Sequence, residues 1–203
     1  MGSWFLRGLL VAAIFGVPAG AIGALTIHRS LQSGFVAGLV TGLGSTAADV
    51  LYACLSVFGV SLISEVLLAH QDIIRLVGGV LIILLGIGIF RKKDDGVQSG
   101  TSDARLLACF GTSFAVAIAN PATILSFLTA FAILGFEQKP SAGDGVQMVL
   151  GIALGTAAWW AALAGIASRF QRRITGRAVT ILHRILGVLL MLFGLYAMLS
   201  AWV

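Results

Sequence analysis

Residues 34–60 read GFVAGLVTGLGSTAADVLYACLSVFGV, a long apolar run with a single charged side chain, Asp49, at its centre. A helix needs ~20 consecutive apolar residues to cross the hydrocarbon core of a bilayer, and this run exceeds that length. Working outward, five further apolar segments appear at 4–27, 73–90, 106–133, 147–167 and 182–203. The 203-residue chain is 59% hydrophobic and 10% charged, with a mean hydropathy of +1.04. So few charges cannot coat a soluble domain of this size, so the apolar segments are expected to face lipid. Backbone in hydrocarbon must satisfy its own hydrogen bonds, which selects helices, and the alternating ten-residue segments of a membrane barrel are absent. The expected fold class is an all-α membrane protein with six transmembrane helices.

The longest polar gap runs from Arg91 to Arg105, which leaves no room for a separate soluble domain. With six spans, Arg29, Arg91, Lys92, Lys93, Arg105, Arg169, Arg172, Arg173, Arg177 and Arg184 fall on one side of the membrane. Arg7, Arg75 and Lys139 fall on the other. The excess of positive charge belongs in the cytoplasm, so both termini are expected outside and residues 91–105 form a cytoplasmic linker. The location expected is a bacterial-type inner (cytoplasmic) membrane. This distribution also accounts for the net charge of +5, so membrane lipid is an expected partner and nucleic acid is not. The N-terminus lacks the residue a myristoylation signal needs at position 6, and its apolar run outlasts a cleaved signal peptide.

The two halves echo one another. Pro18-Ala19 followed by Leu25-Thr26 is answered by Pro121-Ala122 followed by Leu128-Thr129. Leu43-Gly44-Ser45-Thr46-Ala47-Ala48-Asp49 is answered by Leu154-Gly155-Thr156-Ala157-Ala158-Trp159-Trp160. Gly79-Val80-Leu81-Ile82-Ile83-Leu84-Leu85-Gly86 and Gly187-Val188-Leu189-Leu190-Met191-Leu192-Phe193-Gly194 agree at five of eight positions. Three pairs in the same order define repeat one over 4–90 and repeat two over 106–203 within a single domain, 1–203. An odd number of spans per copy inverts the second copy, as in secondary transporters whose sites lie at the midplane between repeats.

Chemistry then concentrates on few residues. Pro18, beside Gly20, and Pro121, after Asn120, break spans one and four at matching positions, because proline removes a backbone donor and clashes with the preceding turn. New helix starts expose free N–H groups that favour an anionic group such as a carboxylate, although plain kinks would also explain the prolines. Asp49 carries a burial cost of about 2.5–3.5 kcal/mol at a span centre, so it is expected to face a polar cavity and hold a cation or proton. A packing hydrogen bond to Thr41, Ser45 or Thr46 is the structural alternative. Trp160 stands at the repeat position of Asp49, and an acid with an aromatic can hold an ammonium by ion pairing and cation–π contact. His28, His70 and His183 lie at span ends without metal-like spacing and are expected to be solvated. Cys54 and Cys109 read as small packing residues. No metal, no cofactor and no enzymatic site is expected.

These residues resemble the lysine-exporter (LysE/RhtB type) family of amino-acid translocators along almost the full chain. The resemblance rests on Pro18-Ala19-Gly20-Ala21 in span one and His28-Arg29-Ser30-Leu31 with Gly34 in the following turn. It continues with Gly42-Leu43-Gly44, Asp49 and Tyr52 in span two, and Asn120-Pro121 in span four. Ala21 replaces the second proline of the family's span-one motif. The resemblance implies proton-driven export of an amino acid or related small polar solute, and it brings a homodimer into view. Pro18, Gly20, Asn120, Pro121 and Trp160 are the expected substrate-binding residues, with Asp49 coupling to protons. A membrane scaffold or accessory subunit is the alternative from another class. A metal-ion or thiol-redox carrier is the alternative within the superfamily.

Overall fold

The computed structural model describes residues 2–15, 20–57, 70–91, 102–119, 141–171 and 176–199. These form seven α-helices and, among the described residues, no strand: α1 (Gly2–Phe15), α2 (Ala21–Ser33), α3 (Phe35–Val57), α4 (Gln71–Phe90), α5 (Asp103–Ala119), α6 (Ala142–Arg169) and α7 (Gly176–Leu199). Among them α3 and α6 are long and apolar enough to cross a membrane, and Trp4–Ala13, Leu76–Phe90 and His183–Leu199 are shorter apolar helical stretches.

The apolar segment 4–27 is two helices. Gly20, which precedes α2, has an extended backbone (φ −112°, ψ −164°) and no side-chain cap, so helix does not pass through this point. Pro18 lies in 16–19, outside the described residues, as do Asn120 and Pro121 in 120–140. A tight corner joins α2 to α3. The Gly34 N–H donates to the Ser30 carbonyl at 3.1 Å, and Gly34 takes φ 88°, ψ −177°. That backbone region is essentially closed to residues with a Cβ, so the glycine is what lets the chain reverse between the two helices. At the start of α6, the Ser141 hydroxyl accepts the Asp144 N–H at 3.2 Å, capping an otherwise orphaned donor.

Small residues set the packing. Gly8 of α1 lies against Met148 and Gly151 of α6, and Gly155 of α6 lies against Leu9 and Ala12 of α1, so these two helices run parallel. Gly38 and Gly42 of α3 meet Ala164 and Trp160 of α6 in the reverse order, an antiparallel pair. Between α4 and α7 a methyl group on Gly79 would sit 2.7 Å from the Gly194 carbonyl oxygen, and one on Gly86 would sit 2.8 Å from that of Gly187. Backbones at that range leave no space for side chains, the arrangement by which helices associate where lipid supplies little apolar driving force. The main buried cluster brings Ala21 and Leu25, Ala48, Ile82, Val116, Trp160 and Leu190 together from α2 through α7. Leucines such as Leu84, Leu154 and Leu192 cover the outside.

Candidate functional site

Asp49 sits on α3 with 8% of its surface exposed. Two of the nearby hydroxyls bond to other groups. Thr41 donates to the Ala37 carbonyl at 2.7 Å, and Thr46 accepts from Thr156 at 3.3 Å. Among the described residues the Asp49 carboxylate makes no hydrogen bond or ion pair; its electrostatic neighbour is Tyr52, one turn on. Tyr52 in turn donates to the Ile118 carbonyl at 2.7 Å. Tyr52 therefore ties the Asp49 turn of α3 to α5, close to the point where the described residues of that helix stop at Ala119.

Gly20 falls at the same height. Gly38 packs against Ser30 across the α2–α3 corner, and counting equal rises along this antiparallel pair puts Gly20 opposite residue 48. Ala21 and Ala48 share the main buried cluster, as that count requires. The start of α2, which Gly20 leaves without a side-chain cap, thus lies level with Asp49. Of the sequence-expected residues, the described structure brings Gly20 and Asp49 to one level. It places Trp160 further along, against Gly42, which is seven residues or about 10 Å along α3 from Asp49.

Trp160 is 4% exposed, and its indole nitrogen has no hydrogen-bond partner among the described residues. The same holds for the Thr26 hydroxyl, which is fully buried. The α2–α3 count that matches Gly20 with residue 48 matches Thr26 with Gly42, so both unsatisfied groups occupy one layer. Buried polar groups are normally hydrogen-bonded, so two in one layer mark a place suited to water or a polar guest.

A third polar layer was not legible in the sequence. The histidines expected to be solvated include two that are buried: His28 and His183 are 5% and 1% exposed. Their rings pack 4.9 Å apart at 53°, and the Gln32 amide donates to His183 Nε2 at 2.7 Å. The physical reason is that α2 and α7 pack together and enclose side chains which the linear sequence places at segment ends. Arg29, expected only as a topology-setting cation, reaches inward as well. It donates to Thr41 at 3.1 Å, to the Cys109 carbonyl at 2.9 Å and to Thr112 at 2.7 Å. Helices α2, α3 and α5 are locked together by this one guanidinium. The only sequence signal for it is that Arg29 sits in the polar second half of α2, directly after His28 and before Ser30, Gln32 and Ser33.

Cys54 and Cys109 are both free thiols. Cys109 neighbours Phe110, which packs on Gly44, so Cys54 stands about ten residues, or ~15 Å, further along α3. The two cysteines do not form a pair.

Apolar helices packed through glycines, leucine-covered outer faces and an acid buried beside a helix break define a helical membrane protein with a polar interior. Residues 13–201 match the LysE type translocator family, and the chain belongs to it: it is a membrane transporter. A similar protein is the uncharacterized membrane protein YahN of Escherichia coli (strain K12), 27% identical over 192 residues that cover 93% of this chain and 85% of YahN. No solved structure matches. The members of the family are translocators, in keeping with the non-enzymatic reading of the residues.

Proposed function

We propose that this transporter exports an amino acid or a related small polar solute from the cytoplasm by proton antiport, with Asp49 as the coupling carboxylate. The observation that carries the reading is the position of Asp49. It is buried, without a hydrogen-bond partner among the described residues, level with the extended Gly20 and one turn from Tyr52, which bonds to Ile118 of α5. The start of α2, without a side-chain cap at Gly20, offers N–H groups to the carboxylate of a substrate, and Asp49 offers a negative charge to its ammonium. A proton and a substrate ammonium then compete for one carboxylate, which is a sufficient physical basis for antiport. Gly20 borders this site, Trp160 belongs to the layer of unsatisfied donors beyond it, and Pro18, Asn120 and Pro121, outside the described residues, are assigned to substrate binding on their sequence pattern alone.

The proposed architecture is six spans in two inverted repeats, and the packing supports it. Gly79 and Gly187 are equivalent in the repeat, as are Gly86 and Gly194. The contacts pair them crosswise, Gly79 with Gly194 and Gly86 with Gly187, as a two-fold relation between halves requires. Gly44 and Gly155 are also equivalent, and each packs on the opposite half, against α5 and α1 respectively.

The test is flux in proteoliposomes loaded with individual amino acids under an imposed pH gradient. Wild type should accelerate release of at least one amino acid when external pH is lowered. Asp49→Asn should insert and fold normally yet lose the pH-driven component by at least about tenfold, the scale of a coupling group removed. Unchanged gradient-driven flux in Asp49→Asn would remove the carboxylate from the mechanism. A variant that keeps all cellular function without any flux would favour the scaffold.

A further inference from the structure

A cavity of about 460 Å³ opens between α2, α4 and α5, away from Asp49. One wall is a leucine and isoleucine surface from α2 and α4, including Leu81 and Leu84, the latter 59% exposed on the outer face of the helix. The opposite wall carries Arg29 and Arg105, and among the described residues none lining the cavity is acidic. Arg29 is held rigidly by its three hydrogen bonds. A guanidinium has five N–H donors, so two remain on Arg29 after those bonds are made. Gly88 lies on the cavity wall, and nothing comes within 4 Å of a methyl group placed there.

We propose that this cavity is a binding site for an anionic phospholipid, the phosphate seated on Arg29 and Arg105 and an acyl chain lying along Leu81 and Leu84. The chemistry separates this guest from the transported solute. A zwitterionic amino acid would bring its ammonium against a described lining of two guanidiniums and no carboxylate, an arrangement that like charge opposes. An anionic lipid matches both walls at once: its charge meets the arginines, and its tail meets side chains that already face hydrocarbon. Basic pockets between membrane helices at the headgroup level are suited to such lipids. The site would bind one leaflet's lipid to the joint that fastens α2 to α5.

The test is native mass spectrometry of the full chain released from mixed micelles of phosphatidylglycerol and phosphatidylcholine. Wild type should retain phosphatidylglycerol about thirtyfold over phosphatidylcholine, the order expected when two arginines each contribute their usual share. Gly88→Phe fills the cavity without disturbing a packed neighbour and should abolish the retained lipid. Arg105→Gln should leave lipid bound but erase the preference. Thermal unfolding of both variants in lipid-free detergent should match wild type, which separates loss of the site from loss of the fold. Equal retention of the two lipids by wild type would overturn the proposal, and so would an undiminished preference in folded Gly88→Phe. Displacement of the lipid by millimolar soluble amino acids would overturn it in favour of a solute vestibule.

Discussion

Asp49 and Tyr52 show how two residues one turn apart divide their work. The carboxylate is left without a hydrogen bond among the described residues, while the phenol makes a structural bond to the Ile118 carbonyl. Removing that hydroxyl deletes a part-buried hydrogen bond between α3 and α5, and a net cost of about 0.5–1.5 kcal/mol is expected. Tyr52→Phe should therefore lower the thermal midpoint in detergent by several degrees while leaving the substrate preference intact. An unaltered midpoint would mean the carbonyl finds another partner. The same scale holds the plainest misreading from sequence. His28 and His183 stand at the ends of apolar segments, where histidine is ordinarily solvated, yet they pack against each other, tilted, in the interior. Their burial depends on α7 returning beside α2, a contact between residues about 150 positions apart that no local pattern encodes.

At the scale of the helix, glycine placement separates packed positions from open ones. Gly86 and Gly88 are two residues apart on α4 and look alike in sequence. A methyl on Gly86 would lie 2.8 Å from the Gly187 carbonyl oxygen and 3.0 Å from the Met191 nitrogen, whereas one on Gly88 would meet nothing. Gly86→Ala should cost about 1–3 kcal/mol, because backbone cannot yield as a flexible side chain can. Gly88→Ala should be neutral or gain up to about 1 kcal/mol through helix propensity. Parallel thermal unfolding of the two variants reads the difference directly, and equal effects would show that α4 and α7 do not cross at these glycines. The break in the first apolar segment belongs to this scale too. Proline and glycine in the sequence announce it, and the extended backbone of Gly20 is where the helix restarts. Ala21, which stands where relatives carry a second proline, is already the first residue of α2, so the restart does not depend on that proline.

For the whole molecule, orientation follows from charge. Residues 91–105 and 169–177 are expected in the cytoplasm and both termini outside, because ten of the thirteen Lys and Arg residues fall on that side. Reporter fusions after Lys93, Arg172 and the C-terminus check this, and an external signal at Arg172 would reverse the assigned direction of transport through the site. Much of the molecule was readable from residues alone. Hydropathy specified helices in a membrane, since lipid admits almost no other backbone, and the cost of burying a charge singled out Asp49 in an otherwise apolar run. The family followed from motif residues spread across three segments. What the sequence could not supply is which side chains meet across helices. Periodicity says that a face is buried but does not name the partner that buries it. Only the tertiary packing set Trp160 over Gly42, two turns from Asp49, and only it drew Arg29 into a joint with Thr41, Cys109 and Thr112. Those contacts depend on close approach of distant helices, fixed by glycines whose role is to be absent, and a missing side chain leaves no pattern to read.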